Sequence, residues 1–148
     1  MRRRSPFLLL LLALSFPAGA LGAEFRSVGD SAAILYDAPS AKAKKLYIVN
    51  QGYPVELVVS VEGWAKVRDA NGDLTWIESK QLTDKRTVMV KAPLAQVHES
   101  ASESAALVFQ AQQNVILEVL EPAAGAWLRV RHQDGQAGFI KTAQVWGA

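Results

Sequence analysis

One strand–turn–strand pattern occurs twice in this chain, and that duplication limits the fold more than any other property. Residues 63–77 read GWAKVRDANGDLTWI, and residues 126–140, 63 positions later, read AWLRVRHQDGQAGFI. Each copy opens on Trp, continues with x-Val-Arg, turns through polar residues and Gly, and closes on an aromatic–Ile pair. In the first copy Ala65 and Val67 share one face, and Trp64, Lys66 and Arg68 share the other, because side chains alternate along a strand. Just upstream Val55, Leu57, Val59 and Val61 alternate with Glu56, Val58 and Ser60, the period of a strand with one buried face. No helical period occurs in either copy. A chain built this way forms small all-β modules, one per copy.

The remaining segments fit that plan. In the first copy, β-prone runs at residues 25–28, 33–36 and 46–49 are separated by turn residues at Gly29-Asp30, Asp37-Ala38-Pro39-Ser40 and Asn50-Gln51-Gly52. Asn71-Gly72 is expected to make a type I′ hairpin turn, with positive φ at both central residues. Beyond it Ile77 points inward, and Trp76 points outward with Glu78. In the second copy the runs recur at residues 86–90, 95–98, 107–109 and 115–119. There Ala95-Gln96-Val97-His98 is aligned with the stretch from Ile34 to Asp37. The loop from Glu121 to Gly125, before Trp127, is three residues longer than its counterpart. Asp134-Gly135 makes the second hairpin.

The expected architecture is therefore two tandem five-stranded barrels, residues 24–82 and 86–148, joined by a linker at 83–85. Val55, Leu57, Val67, Ile77, Val130 and Ile140 are assigned to their cores. Each unit, at about 60 residues, lies near the lower size limit for an independent core, so the two are expected to pack together as a fixed pair. Trp146, near the end, is expected to seal an interface.

The first 23 residues read as an address. A basic start (Arg2, Arg3, Arg4) precedes an apolar run from Phe7 to Phe16. Pro17 and the small residues Ala18, Gly19, Ala20, Gly22 and Ala23 follow, in the order of a secretory signal peptide. Cleavage falls after Ala20 or Ala23, with Ala23 preferred. The ten-residue apolar run is too short to span a bilayer. The expectation is an exported chain, periplasmic or secreted and soluble, with no stable membrane span after cleavage.

Charge removes one class of partner. The formal net charge is +2, but without the three leader arginines 13 basic residues face 14 acidic ones. The one-sided basic field that nucleic acid binding requires is absent. There is no cysteine, so disulfides, thiolate metal sites and cysteine nucleophiles are excluded.

With these residues in view, the chain resembles the bacterial SH3-like (SH3b) domains, in a tandem exported form. Leu35-Tyr36-Asp37 stands at their Leu-Tyr-Asp signature. Gly63-Trp64 with Val67 matches the Gly-Trp-x-x-Val step, and Asn71-Gly72 through Trp76-Ile77 matches the Gly-x-x-Gly-aromatic-Ile close. Thr75 replaces the second Gly of that close, which Gly138 keeps in the other copy. Val97-His98 lacks the Tyr-Asp pair, and Ala126 replaces Gly63. The resemblance implies a binding module for the cell wall or its peptide stems.

No catalytic pattern accompanies it. His98 and His132 are read as exposed turn residues, aligned with Asp37 and Asp69, and Asp69 and Asp73 as turn formers. No metal-ligand spacing or phosphate-cradling loop occurs, so no cofactor and no metal is expected and the chain is read as non-enzymatic. The outward aromatics remain. Tyr36, Trp64 and Trp76, with Tyr53 nearby, are the candidate ligand-binding residues, since flat rings offer stacking surface to glycans or peptides. Trp127, Phe139 and Trp146 are candidates for inter-repeat packing or a second site. The expected partner is peptidoglycan or its peptide stems; the alternative is an envelope protein gripped through a groove or an edge strand.

Overall fold

A computed structural model describes residues 22–148, so the leader expected at residues 1–23 lies almost wholly outside the described residues. The first half contains β1 (Phe25–Val28), β2 (Ala33–Tyr36), β3 (Lys45–Val49), β4 (Pro54–Val61), β5 (Trp64–Arg68), β6 (Leu74–Glu78), a 3-10 turn (Ser79–Gln81) and β7 (Leu82–Thr83). The second half contains β8 (Thr87–Val90), β9 (Leu94–His98), β10 (Leu107–Gln112), β11 (Ile116–Ala124), β12 (Trp127–Arg131), β13 (Ala137–Lys141), a 3-10 turn (Thr142–Gln144) and β14 (Val145–Trp146). The all-β, tandem reading holds. Each half is an antiparallel sheet of seven strands, in the order β3-β2-β6-β5-β4-β1-β7 and its exact counterpart β10-β9-β13-β12-β11-β8-β14.

The strand count and closure differ from the expected five-stranded barrels. The extra strands include β7 and β14, two residues each. Two residues are too few to show a period. The sheets bend without closing into hydrogen-bonded rings. Some of the bending arises in the long strands, where the pairing of β4 with β5 shifts register between Leu57 and Val59. Such a bulge turns the strand and interrupts its alternation. Val59 and Val61, which the alternation placed on the face of Val55, are accordingly exposed, as is Val58.

In β11 the register shifts twice, between Val119 and Glu121 and between Glu121 and Ala124. Against the three extra residues expected, the repeat offset rises there only from 62 (Leu57 and Val119) to 63 (Trp64 and Trp127), so one residue is added, and it is absorbed as strand.

The Glu62-Gly63 step, expected as a tight turn, takes the type I′ geometry expected at Asn71-Gly72. Positive φ at two successive residues occurs at Glu62 (31°) and Gly63 (85°), the tight turn between β4 and β5. At the β5–β6 hairpin only Gly72 is left-handed, at 87°. The Asp69 carboxylate directs that turn, its Oδ1 accepting from the backbone N–H of Asn71 at 2.9 Å and of Asp73 at 3.0 Å. An aspartate that bonds its own backbone offers a competing turn to Asn-Gly, and here it prevails.

Val28, Ala33, Leu35, Val49, Val55, Ala65, Val67 and Ile77 form the first core, with Tyr53, Leu57 and Leu82 on its rim. The second consists of Val88, Val90, Ala95, Val97, Ala111, Leu117, Leu128, Val130, Ile140 and Val145. Among the residues assigned inward from the sequence, Val55, Val67, Ile77, Val130 and Ile140 have no exposed surface, while Leu57 is half-buried.

The halves meet along β1 and β8. Ser27 Oγ donates to the Lys85 carbonyl and Thr87 Oγ1 donates to the Gly52 carbonyl, each at 2.6 Å. Phe25 meets Trp146 edge to face, centroids 5.2 Å apart, and the Arg86 guanidinium lies 5.3 Å above the Phe25 ring. An edge-to-face pair contributes about 0.5–1.5 kcal/mol beyond its buried area. Trp146 therefore joins the two units.

Candidate functional site

Three aromatic side chains converge on the outer side of the first sheet. Tyr36 ends β2, Trp64 opens β5, and Trp76 sits centrally in β6. Tyr36 pairs with Trp76 across β2 and β6, and Lys66 pairs with Trp76 across β5 and β6. The Tyr36 ring meets Trp64 edge to face at 5.2 Å and 88°. The Lys66 ammonium lies 5.9 Å from the Trp76 centroid, and Glu78 stands opposite Trp64 on the neighbouring strand. Trp64 and Trp76 are partly exposed, whereas Tyr36 is buried, at 6%. Tyr36 thus braces the Trp64 indole instead of offering its own face.

Tyr53 does not join them. It follows Gly52, whose φ is 81°, and lies on the rim of the first core. Burial raises its phenol pKa above 10.0, and the charges of Asp69 and Asp73 add to the rise. The protonated phenol is therefore a rim group beside the β5–β6 turn, apart from the indoles.

A related cluster occupies the same place on the second sheet. His98 ends β9, pairs with Phe139 of β13, and meets Trp127 edge to face at 5.8 Å and 87°. His98 is 8% exposed, and its Nδ1 lies 3.0 Å from the Ala105 carbonyl oxygen. Two sequence expectations are corrected here. His98 is a buried strand residue rather than an exposed turn residue, and it stands where Tyr36 stands, not Asp37. The loop closures fix the alignment: Asp37 N–H donates to the Lys44 carbonyl, and Glu99 N–H to that of Ala106. The repeat offset is therefore 62 up to β9 and 63 from Trp127 onward. The sequence alignment set Ala95–His98 against Ile34–Asp37, an offset of 61, and so displaced His98 by one residue.

Trp127, Phe139 and Trp146 have separate places. Trp146 lies at the inter-repeat contact, while Trp127 and Phe139 form the outer cluster of the second sheet. His132 is half-buried at the second hairpin, where its Nδ1 accepts from Asp134 N–H at 3.3 Å.

The two clusters differ where strands β6 and β13 cross β2 and β9. A β-carbon on Gly138 would come within 2.5 Å of the His98 carbonyl oxygen and 2.8 Å of Val97 Cγ1. Thr75 fills the corresponding position of the first sheet. Its Oγ1 is buried with no hydrogen-bond partner among the described residues. An unmet buried hydroxyl costs about 1–3 kcal/mol, and an apolar group of the same shape removes that cost. Thr75→Val is expected to raise stability by about 1 kcal/mol. Urea denaturation checks this, and a loss of stability would show that the hydroxyl is bonded.

A polar cleft of about 1050 Å³ lies between the halves, lined among others by Asn50, Thr87, Ile116, Glu118 and Arg131. In it Arg131 donates to Glu118 at 2.9 Å, and Lys85 lies 3.5 Å from the same oxygen. The Arg131 hydrogen bond holds the Glu118 carboxyl below 4.5 against a smaller opposing effect of burial. Among the described residues no group of His, Asp and Glu is gathered as a metal site. No described helix is long and apolar enough to cross a membrane.

Two interlocked β modules with aromatic outer faces define a class of small recognition domains. The family described as the bacterial SH3 domain matches residues 29–84 and 91–147, and the chain belongs to that family. No curated protein matches it. Among solved structures it is similar to NlpC2 from Trichomonas vaginalis, at 15% identity and a TM-score of 0.39, over 84% of this chain and 48% of that one. NlpC1 from the same organism is 18% identical with a TM-score of 0.39, over 95% and 51%. An NlpC/P60 family protein from Bacillus cereus is 19% identical with a TM-score of 0.38, over 82% and 55%. The chain thus spans about half the length of the solved structures it matches.

Proposed function

We propose that this chain is a non-catalytic module of the cell envelope that grips peptidoglycan through its peptide stems, using the outer face of the first repeat. Export through residues 1–23, with cleavage after Ala23, delivers it there. The observation that carries the reading is the cluster of Trp64 and Trp76, partly exposed and braced by buried Tyr36, between Lys66 and Glu78. Rings held in place by packing present stacking area without the entropy cost of ordering on contact. The flanking ammonium and carboxylate match the free carboxylates and amines of short peptides.

Incubation of the mature protein with purified sacculi, followed by sedimentation, tests the proposal. The protein is expected to pellet with the sacculi and to release no soluble fragments from them. Failure to pellet would sink the reading, and release of fragments would show an enzyme.

A further inference from the structure

The outer cluster of the second repeat differs from that of the first in the charge beside its opening tryptophan. The cross-strand neighbour of Trp64 is Glu78, and that of Trp127 is Lys141. The facing loops differ as well: residues 37–44 carry Asp37, Lys42 and Lys44, whereas residues 99–106 carry Glu99 and Glu103 and no lysine. In the second repeat Lys141 makes a contact that the first repeat lacks. The Lys141 ammonium pairs with the Glu103 carboxylate and lies 5.9 Å from the centroid of Trp127. Glu78 of the first repeat is paired instead with Lys80, in the 3-10 turn that follows it.

Beside this pair lies a hollow of about 110 Å³ lined by Gln96, His98, Glu103, Trp127, Lys141 and Gln144. The hydrogen bonds and ring contacts that join the repeats, made by Ser27, Gly52, Thr87, Phe25, Arg86 and Trp146, involve none of these six. The loop glutamate is well exposed, at 71%, and the lysine less so, at 38%. The cation belongs to a paired strand, while its partner is an exposed side chain on a loop.

We infer that this hollow binds a short peptide through a carboxylate that replaces Glu103 on Lys141, with the indole of Trp127 as its floor and Gln96 and Gln144 as amide partners. Glu103 is then a built-in competitor. The choice of ligand class rests on the reading of the chain as a stem-peptide binder, but the site does not depend on the first repeat.

The four tryptophans, Trp64, Trp76, Trp127 and Trp146, give four indole N–H signals, assigned by single substitutions, that report each place separately. The mature protein is titrated with the tetrapeptide acetyl-Ala-Glu-Lys-Ala, and with a version in which every carboxylate is amidated. The free acid is expected to shift the Trp127 signal and the amide to leave it unmoved. Glu103→Gln is expected to tighten binding about two- to fivefold, the worth of an exposed ion pair. Lys141→Gln is expected to weaken it at least about tenfold, with the Trp146 signal unchanged as the sign of an intact fold. A Trp127 signal that ignores the acid, equal binding of the amide, or no tightening in Glu103→Gln overturns the inference. A shift at Trp64 alone would do so while sparing the first-repeat site; a shift at Trp127 alone does the reverse.

Discussion

Ile140→Ala is expected to unfold the second repeat. Ile140 lies on β13 with no exposed surface, packed among Val97, Leu117, Leu128 and Val130. Its truncation removes three methyl(ene) groups from a close-packed interior and leaves a cavity that paired strands cannot collapse, at a cost of about 3–4 kcal/mol. A sheet of roughly 60 residues has little stability to lose. The contacts of β8 with the first repeat are therefore expected to loosen too. Urea denaturation followed by tryptophan fluorescence measures the effect. A midpoint within about 0.5 kcal/mol of wild type would show that the second core is not organised around this residue.

Gly138→Ala is expected to cost about 2–3 kcal/mol, although it adds a single methyl group. The new carbon would press on the His98 carbonyl oxygen and on Val97 Cγ1, at 2.5 and 2.8 Å. One obstacle is backbone, which cannot rotate aside, and the other belongs to a fully buried side chain. Relief requires β13 to move from β9, which would also part Phe139 from His98. The same denaturation assay, with the His98 ring signals as a local probe, tests this. Unchanged stability would mean that the second sheet tolerates the spacing that Thr75 imposes on the first.

Much of the fold was legible because a strand duplicates its signal. Alternation placed Val67 and Ile77 inward and Trp64 and Trp76 outward, and the second copy repeated both statements for Val130, Ile140 and Trp127. Where alternation fails, the reading failed with it. Val59 and Val61 were placed inward because a bulge after Leu57 leaves no mark in a run of valines. The two-residue strands β7 and β14 are defined by pairing with β1 and β8, a relation between distant residues that local pattern does not encode.

The candidate site was legible in part for similar reasons. Trp64 and Trp76 stood out as aromatic residues on a charged face, and Tyr36 as their neighbour. Tyr53 was grouped with them by type, but the backbone after Gly52 takes it to the core rim. The role of His98 was hidden because Val97-His98 carries no Tyr-Asp pair to mark the place of Tyr36 in the second copy. Lys141 and Glu103 gave no signal singly; only the comparison of Lys141 with Glu78 exposes them.

The central claim is that the indoles of the first repeat hold the ligand. Sedimentation with purified sacculi of wild type, Trp64→Ala and Trp76→Ala, each confirmed as folded by circular dichroism, tests it most directly. Each substitution removes a stacking face worth about 1–3 kcal/mol, so retention is expected to fall roughly tenfold or more. Wild-type retention by both folded variants would contradict the account.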